Sequence, residues 1–264
     1  MKKFEINPEE VKEKLVKFIR EEVQKAGFNC GILGLSGGVD SATVAYLSSI
    51  ALGPKNVWGI LMPYKTNPPE SLKHAQMVIN TLGINSQIVD ITLIVDSYFK
   101  HFPDASPNGS PRERIRKGNK MVRERMSILY DLSAKYQALV IGASNKSELL
   151  LGYGTIYGDT ACAIMPLGDL YKTQVYHLAR HLGIPEQIIQ KAPSAELWPG
   201  QTDEGELGLT YEEVDKLLYQ MIDCKKSSDE LKACGFEEDF IERVSKIVKK
   251  NEFKSRPPLI LEIK

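Results

Sequence analysis

Apolar positions along this chain follow two alternating rhythms. Cys30, Ile32, Leu33 and Leu35 form a short run bounded by glycines, which predicts a buried strand. Val39, Ala42, Thr43, Ala45, Tyr46 and Leu47 recur at the spacing of a mostly buried helix. Upstream, Asn7-Pro8-Glu9-Glu10 supplies a capping residue, a proline for the first helical position and a first-turn carboxylate. The stripe Val11, Leu15, Phe18, Ile19 and Val23 then predicts an amphipathic helix ending near Gly27. Residues 57–62 predict a second strand that stops at Pro63, and a helix is expected from about Glu70 to Leu82, closed by Gly83. Residues 86–91, 138–143 and 161–165 predict a third, a fourth and a short fifth strand.

Strands alternating with helices imply parallel pairing through right-handed crossovers. The expected fold is therefore α/β, a doubly wound parallel sheet of about five strands with helices on both faces and ligands at the carboxyl ends of the strands. From Thr210, with Glu213 as its capping-box partner, the pattern is helical to about residue 250, so a helical C-terminal region follows. We read one domain over residues 1–264, with the core sheet at about 28–190, the helical part at about 210–250 and a tail at 251–264. The tail carries Leu259-Ile260-Leu261, expected to dock on the chain's own core or on a second subunit. Segments 101–111 and 192–209, rich in Pro, Gly, Ser and Asn, are read as mobile loops, either lids or plain disorder.

The first strand and its helix are joined by Ser36-Gly37-Gly38, within Leu33-Gly34-Leu35-Ser36-Gly37-Gly38-Val39-Asp40-Ser41. Adjacent glycines open backbone conformations closed to other residues and leave main-chain N–H groups unshielded. With a helix starting behind them and hydroxyls from Ser36 and Ser41, these donors suit phosphates. The same turn alone is also the shape of a tight capped connection. Asp40 is the discordant member, because a carboxylate among phosphate donors repels the ligand unless a divalent cation lies between. That points to Mg²⁺ on a nucleoside triphosphate. The Lys of a Walker A loop and the dinucleotide glycine fingerprint are both missing.

Glu148, just past the fourth strand, falls at the same sheet edge and is the second candidate for Mg²⁺; its bland alternative is a helix-start glutamate on the surface. Between Arg112 and Arg125 seven basic residues stand against two acidic ones, which is either a solvated helix face or a docking surface for phosphates. Lys172 opens a helix where the dipole does nothing for a cation, which favours a ligand role.

Composition narrows these readings. With 34 basic and 34 acidic residues the net charge is zero, which argues against a nucleic-acid binder. Four cysteines have no metal-ligand spacing, and neither a leader-like segment nor a membrane-length apolar run occurs, so free thiols in the cytoplasm and no membrane partner are expected.

Ser-Gly-Gly-Val-Asp-Ser after an apolar strand resembles the loop of the N-type ATP pyrophosphatases, whose fold is called adenine nucleotide alpha hydrolase-like. Along nearly its whole length the chain resembles the ammonia-dependent NAD synthetases. Lys117-Gly118-Asn119 with Arg123 and Arg125, Tyr157-Gly158-Asp159, residues 166–174, Pro193-Ser194-Ala195, Gln201-Thr202-Asp203-Glu204 and Glu206-Leu207-Gly208 all carry the likeness. The resemblance implies a ligase that amidates deamido-NAD with ammonia, using ATP as co-substrate and Mg²⁺ as cofactor, and releasing AMP and pyrophosphate from an adenylated carboxylate. It implies ATP contacts from Gly34, Leu35, Ser36, Gly37, Gly38, Val39, Asp40, Ser41, Ala143, Lys172 and Ser194, and Mg²⁺ on Asp40 and Glu148. Arg123, Tyr157, Asp159 and Lys254 would meet deamido-NAD, and Asp40 and Lys172 would serve catalysis; Asp159 is a candidate acceptor of ammonia's proton or else a turn residue. It also implies a homodimer with the basic stretch near the boundary, an idea supported by the apolar Met121, Val122, Met126, Ile128, Leu129 and Leu132 on the same helix.

Ile156, Ala163, Phe253 and Ala143 depart from the commoner family residues, the first three on the dinucleotide side. Other readings are a relative that makes a different amide or thiolates tRNA, and a non-catalytic ATP-binding module.

Overall fold

The computed structural model describes residues 4–102, 110–256 and 258–263. Four strands, β1 (Cys30–Gly34), β2 (Val57–Leu61), β3 (Asn85–Ile88) and β4 (Ala138–Val140), form one parallel sheet in the order β3-β2-β1-β4. Gly31 pairs with Val57 on one side and Leu139 on the other, so β1 is central. The chain winds one way through β2 and β3, then crosses to the other side of β1 for β4. That reversal opens a crevice beyond the carboxyl ends of β1 and β4, where a doubly wound sheet binds its ligands.

Both faces are covered, and β1 shows why its residues are apolar without alternation. Leu33 joins a core with Val44, Leu47 and Leu178, whereas Ile32 joins a separate core with Met121, Ile60 and Val140. A strand buried on two faces reads as a continuous apolar run. On the first face lie α1 (Pro8–Lys25), α2 (Val39–Leu52), α3 (Pro69–Leu82) and α7 (Lys172–His181); on the second lie α4 (Thr92–Lys100) and α5 (Pro111–Tyr136). Asn7 caps α1 by accepting from the N–H groups of Glu9 and Glu10, and Ser110 forms a capping box with Glu113 to start α5. A third core joins α6 (Lys146–Leu151), the start of α7, α10 (Tyr211–Leu218), α11 (Ser228–Ala233) and α12 (Glu238–Asn251). The short α8 (Glu186–Ile189) and α9 (Asp203–Leu207) complete the set.

Several expectations change. The fifth strand reduces to one parallel bridge between Ile141 and Ile164, because turns precede residue 161 and Pro166 has no N–H to extend a ladder. The helical run after Thr210 is broken at a π-helical turn, Tyr219–Asp223: Asp223 is held by Lys146 Nζ at 2.8 and 2.9 Å and by Tyr171 Oη at 2.6 Å, and Ser227 starts a new helix with Glu230. Segment 192–209 contains α9 and is pinned, with Asn67 donating to the Glu196 carbonyl at 2.7 Å and Lys191 paired with Glu196 at 2.6 Å. Residues 103–109 of the other expected lid lie outside the described residues. Leu259, Ile260, Leu261 and Ile263 are exposed, so of the two docking sites expected for the tail, the chain's own core is not used. Val122, Met126 and Leu129 of α5 line a cavity, which accounts for apolar surface otherwise assigned to a partner helix. The four cysteines are free thiols, and no helix among the described residues is long and apolar enough to cross a membrane.

Candidate active site

A cavity of about 600 Å³ occupies the crevice at the carboxyl edge of β1 and β4, within the range of small-ligand sites. Gly34, Leu35, Ser36, Gly38, Val39, Asp40 and Ser41 line it; Gly37 does not. Gly37 has φ +80°, and a Cβ there would run into the Ser71 carbonyl of α3, so its role is to let the loop pass close beneath that helix. No side chain caps α2 at Gly38, which leaves first-turn N–H groups open to an anion. The hydroxyls expected to bind phosphate are engaged with the loop itself. Ser41 Oγ donates to the Gly38 carbonyl at 3.1 Å and accepts from Ser36 N at 3.3 Å, and Ser36 Oγ accepts from Gly38 N at 3.2 Å.

Asp40, Glu148 and Lys172, far apart in the chain, meet here. Lys172 Nζ pairs with Asp40 Oδ2 and lies 3.4 Å from Glu148 Oε1, with the Lys172 side chain 3% exposed. Asn145 Nδ2 donates to the other Asp40 oxygen at 3.0 Å. Asn145 and Glu148 form the capping box of α6: Glu148 N donates to Asn145 Oδ1 at 3.1 Å, and Asn145 N donates to Glu148 Oε2 at 3.3 Å. Glu148 is thus both a helix-start glutamate and a wall of the cavity. Burial raises the Glu148 carboxyl above its ordinary range, with Asp40 and Asp203 adding to the effect and Lys172 opposing it. Burial alone would lower the Lys172 ammonium, but the adjacent Asp40 and Glu148 charges outweigh it and hold the ammonium charged.

Lys172 is held from behind by a buried polar relay. Asp215 of α10 accepts from Ser147 Oγ at 2.5 Å, from Thr173 N at 2.9 Å and from Thr173 Oγ at 2.9 Å, and Lys172 N donates to Ser147 Oγ at 2.9 Å. Sequence reasoning did not single out Asp215, Ser147 or Asn145 for these roles. Only Asn145 carried a readable signal, the capping pattern Asn-x-x-Glu.

The dinucleotide-side candidates divide. Asp159 and Lys254 line the cavity; Asp159 Oδ1 accepts from Thr155 N at 2.7 Å, and burial raises its carboxyl, opposed by backbone donors and the Lys254 and Arg125 charges. Lys254 Nζ donates to the carbonyls of Gly152 and Gly154 at 2.7 and 3.2 Å. Arg123 and Tyr157 are exposed and do not line the cavity; Arg123 Nε donates to the Ile156 carbonyl at 3.2 Å and so braces the turn that carries Asp159. Arg125, by contrast, is a strut, donating to the Met62 carbonyl at 3.0 Å and to Asn67 at 3.2 Å. Ser194 lines the cavity while its hydroxyl donates to the Gln201 carbonyl at 2.7 Å, and Ala143 lines it too.

A doubly wound α/β sheet with an open-ended glycine turn, a lysine clamped between two carboxylates and a nucleotide-sized crevice defines the class of α/β proteins built around a phosphate-loop cavity. The chain belongs to the NAD synthase family, whose model matches residues 11–258. It is 50% identical over 264 residues to the NH(3)-dependent NAD(+) synthetase of Fusobacterium nucleatum subsp. nucleatum, with all of both chains covered. Among solved structures it is similar to an NH3-dependent NAD synthetase from Campylobacter jejuni, 37% identical with TM-score 0.80 over 97% of this chain and 100% of that one. It is also similar to an NMN synthetase from Francisella tularensis, 30% identical with TM-score 0.84 over 98% of this chain and 100% of that one.

Proposed function

We propose that the chain is an ammonia-dependent ligase that makes NAD from deamido-NAD in the cytoplasm, converting ATP to AMP and pyrophosphate through an adenylated carboxylate. The observation that carries this reading, in a chain of this family, is the convergence of Lys172, Asp40 and Glu148 at the mouth of the open loop. A carboxylate is a poor acceptor for ammonia until an oxygen is converted into a leaving group, and adenylation does that.

In this reading α2 and residues 34–41 bind the phosphates through backbone donors, and Lys172 neutralises charge that builds on departing pyrophosphate. Asp40 and Glu148 fit a Mg²⁺ ion, since their oxygens already share one cationic partner, the Lys172 ammonium. When bound, the ion would supply Lewis-acid charge neutralisation at the triphosphate. Asp159 accepts the proton from attacking ammonia, a role suited to a cavity-lining carboxyl whose proton affinity lies above the ordinary range. Ser194 and Ala143 complete the ATP pocket, and segment 192–209 excludes water that would hydrolyse the adenylate.

The working unit is a homodimer. Leu93, Ile94 and Tyr98 on α4, with Phe102 and Ile115, are exposed beside the basic start of α5, an apolar patch of the kind that subunits cover. Arg123 and Tyr157, exposed and outside the cavity, are the residues a dinucleotide spanning such a boundary would meet. Sedimentation velocity at assay concentration checks this; a fully active monomer would refute it.

The functional test mixes ATP, Mg²⁺ and ammonium with deamido-NAD or with nicotinate mononucleotide, the latter because of the Francisella neighbour. NAD formation with stoichiometric pyrophosphate is expected from the dinucleotide. Amidation of the mononucleotide alone would shift the substrate assignment, and no acceptor-dependent pyrophosphate would end the ligase reading.

A further inference from the structure

Asp203 is 3% exposed, yet its Oδ1 has no hydrogen-bond partner among the described residues. Its other oxygen accepts a long bond, 3.4 Å, from Tyr211 Oη, and the Tyr153 hydroxyl is a second hydrogen-bonding neighbour of the carboxyl. A carboxylate buried in this way is costly, and a fold that only needed a helix start has no use for it, because Thr202 already caps α9 by accepting from Gly205 N at 3.2 Å. Asp203 lines the same cavity as Asp40, Glu148 and Lys172, and its charge bears on all three. Three carboxylates therefore face the cavity that Lys172 also lines, its ammonium paired with Asp40 and Glu148, and the local imbalance is what a single divalent cation would cancel.

Among the described residues no three metal-ligating side chains converge closely enough to coordinate one ion directly. Mg²⁺ keeps several of its waters when it binds proteins, so a carboxylate set back from the first two acts through the hydration shell. We propose that Asp203 is a third carboxylate for the ATP-bound divalent cation, accepting a hydrogen bond from a metal-held water through Oδ1. Asp203 belongs to the segment that also bears Ser194, and its N–H donates to the Pro193 carbonyl at 2.9 Å. Occupancy of the metal then ties α9 to the bound nucleotide, so that the already pinned segment 192–209 is held more firmly beside the metal–ATP complex than beside ATP alone. This inference rests on the assignment of Mg²⁺ and ATP to the cavity.

The experiment titrates Mn²⁺ into the full chain, followed by electron paramagnetic resonance, with an ATP analogue whose α,β-bridging oxygen is methylene. Asp203→Asn should weaken Mn²⁺ at least about tenfold, the usual effect of an outer-shell partner, while Glu206→Gln on the same helix stays within about twofold. Metal-free Asp203→Asn should also melt no lower than the parent, because it removes a buried charge whose Oδ1 has no partner among the described residues while an amide oxygen can still accept from Tyr211, whereas loss of a merely structural residue lowers the melting temperature. Independently of any variant, hydrogen exchange at residues 204–207 of the parent should slow with Mn²⁺ plus analogue relative to analogue alone. Equal Mn²⁺ affinity of parent and Asp203→Asn, equal weakening by Glu206→Gln, or no metal-dependent protection of α9 would each overturn the role of Asp203. A parent that binds no Mn²⁺ with the analogue would instead overturn the metal–ATP assignment itself.

Discussion

Residues 35–41 form a loop whose serine hydroxyls are turned onto its own backbone, whereas Lys172 and Asp203 meet the cavity with buried side chains and Asp215 stands behind Lys172. In the first region the determinants are a positive φ at Gly37, an uncapped helix start at Gly38 and two serines that bond to their own loop. In the second, Lys172, Asp203 and Asp215 are each at most 3% exposed, and each depends on groups from elsewhere in the chain. The difference teaches how labour is divided in this site. Backbone donors bind anions at little cost to the empty protein, while buried charges store an electrostatic demand that only a full complement of partners satisfies.

That contrast is broken most severely at Lys172. Lys172→Met leaves Asp40 and Glu148 buried without their shared cation, so turnover should disappear and stability should fall by about 3–5 kcal/mol near neutral pH. The sign with pH is definite. A carboxyl whose folded pKa is raised favours the fold below its ordinary value and loses that contribution as pH climbs through the raised one, for Glu148 from about 4.5 to about 8. The variant should therefore melt distinctly higher at pH 5 than at pH 8.5, and a pH-independent melt would show that the carboxylates do not feel each other.

Asp215→Ala tests whether the side-chain half is held from behind. Ser147 Oγ, Thr173 N and Thr173 Oγ lose their acceptor, and a cost of about 2–4 kcal/mol is expected in denaturant melts. Because the relay positions Lys172 rather than substrate, kcat should drop more than the KM for deamido-NAD rises. Gly37→Ala probes the backbone half. The positive φ and the collision with the Ser71 carbonyl predict a loss of about 2–3 kcal/mol and weakened ATP binding, read by thermal melting with and without ATP. A silent Gly37→Ala would mean that the loop is not held under α3.

The mildest probe is chemical. Burial pushes the Cys162 thiol up to about 11, so iodoacetamide at pH 8 should label it far more slowly than the exposed Cys224 and Cys234. ATP should slow Cys162 further, since it lines the cavity, and leave the other two unchanged.

Much of this architecture was legible beforehand where the signal was local. The four strands, the start of α1 at Asn7 and Pro8, and α2 opening after two glycines follow from spacing and caps that act within one turn of chain. The fifth strand reduces to a bridge, and its five apolar residues, 161–165, look alike in sequence whether or not a neighbour offers a ladder. The helical C-terminal region after Thr210 is present, and its interruption at Tyr219–Asp223 coincides with Lys146 and Tyr171 gripping Asp223, contacts that span 77 and 52 residues. Arg123 and Arg125 stand two apart in one motif, yet one braces a surface turn and the other is a strut beneath β2.

Local sequence was enough for the glycine turn between β1 and α2, for the alternation that makes a parallel sheet, and for carboxylates at Asp40 and Glu148 beside the strand ends, because backbone freedom, capping and apolar period are properties of neighbouring residues. Tertiary structure decided that Asp40 and Glu148 share one lysine, that Asp215 steadies that lysine, that Asp203 lies buried beside them with an oxygen unpaired, and that Gly37 serves packing. Those outcomes depend on which strand lies beside which and on how far burial strengthens each charge, and both quantities exist only once distant segments have met.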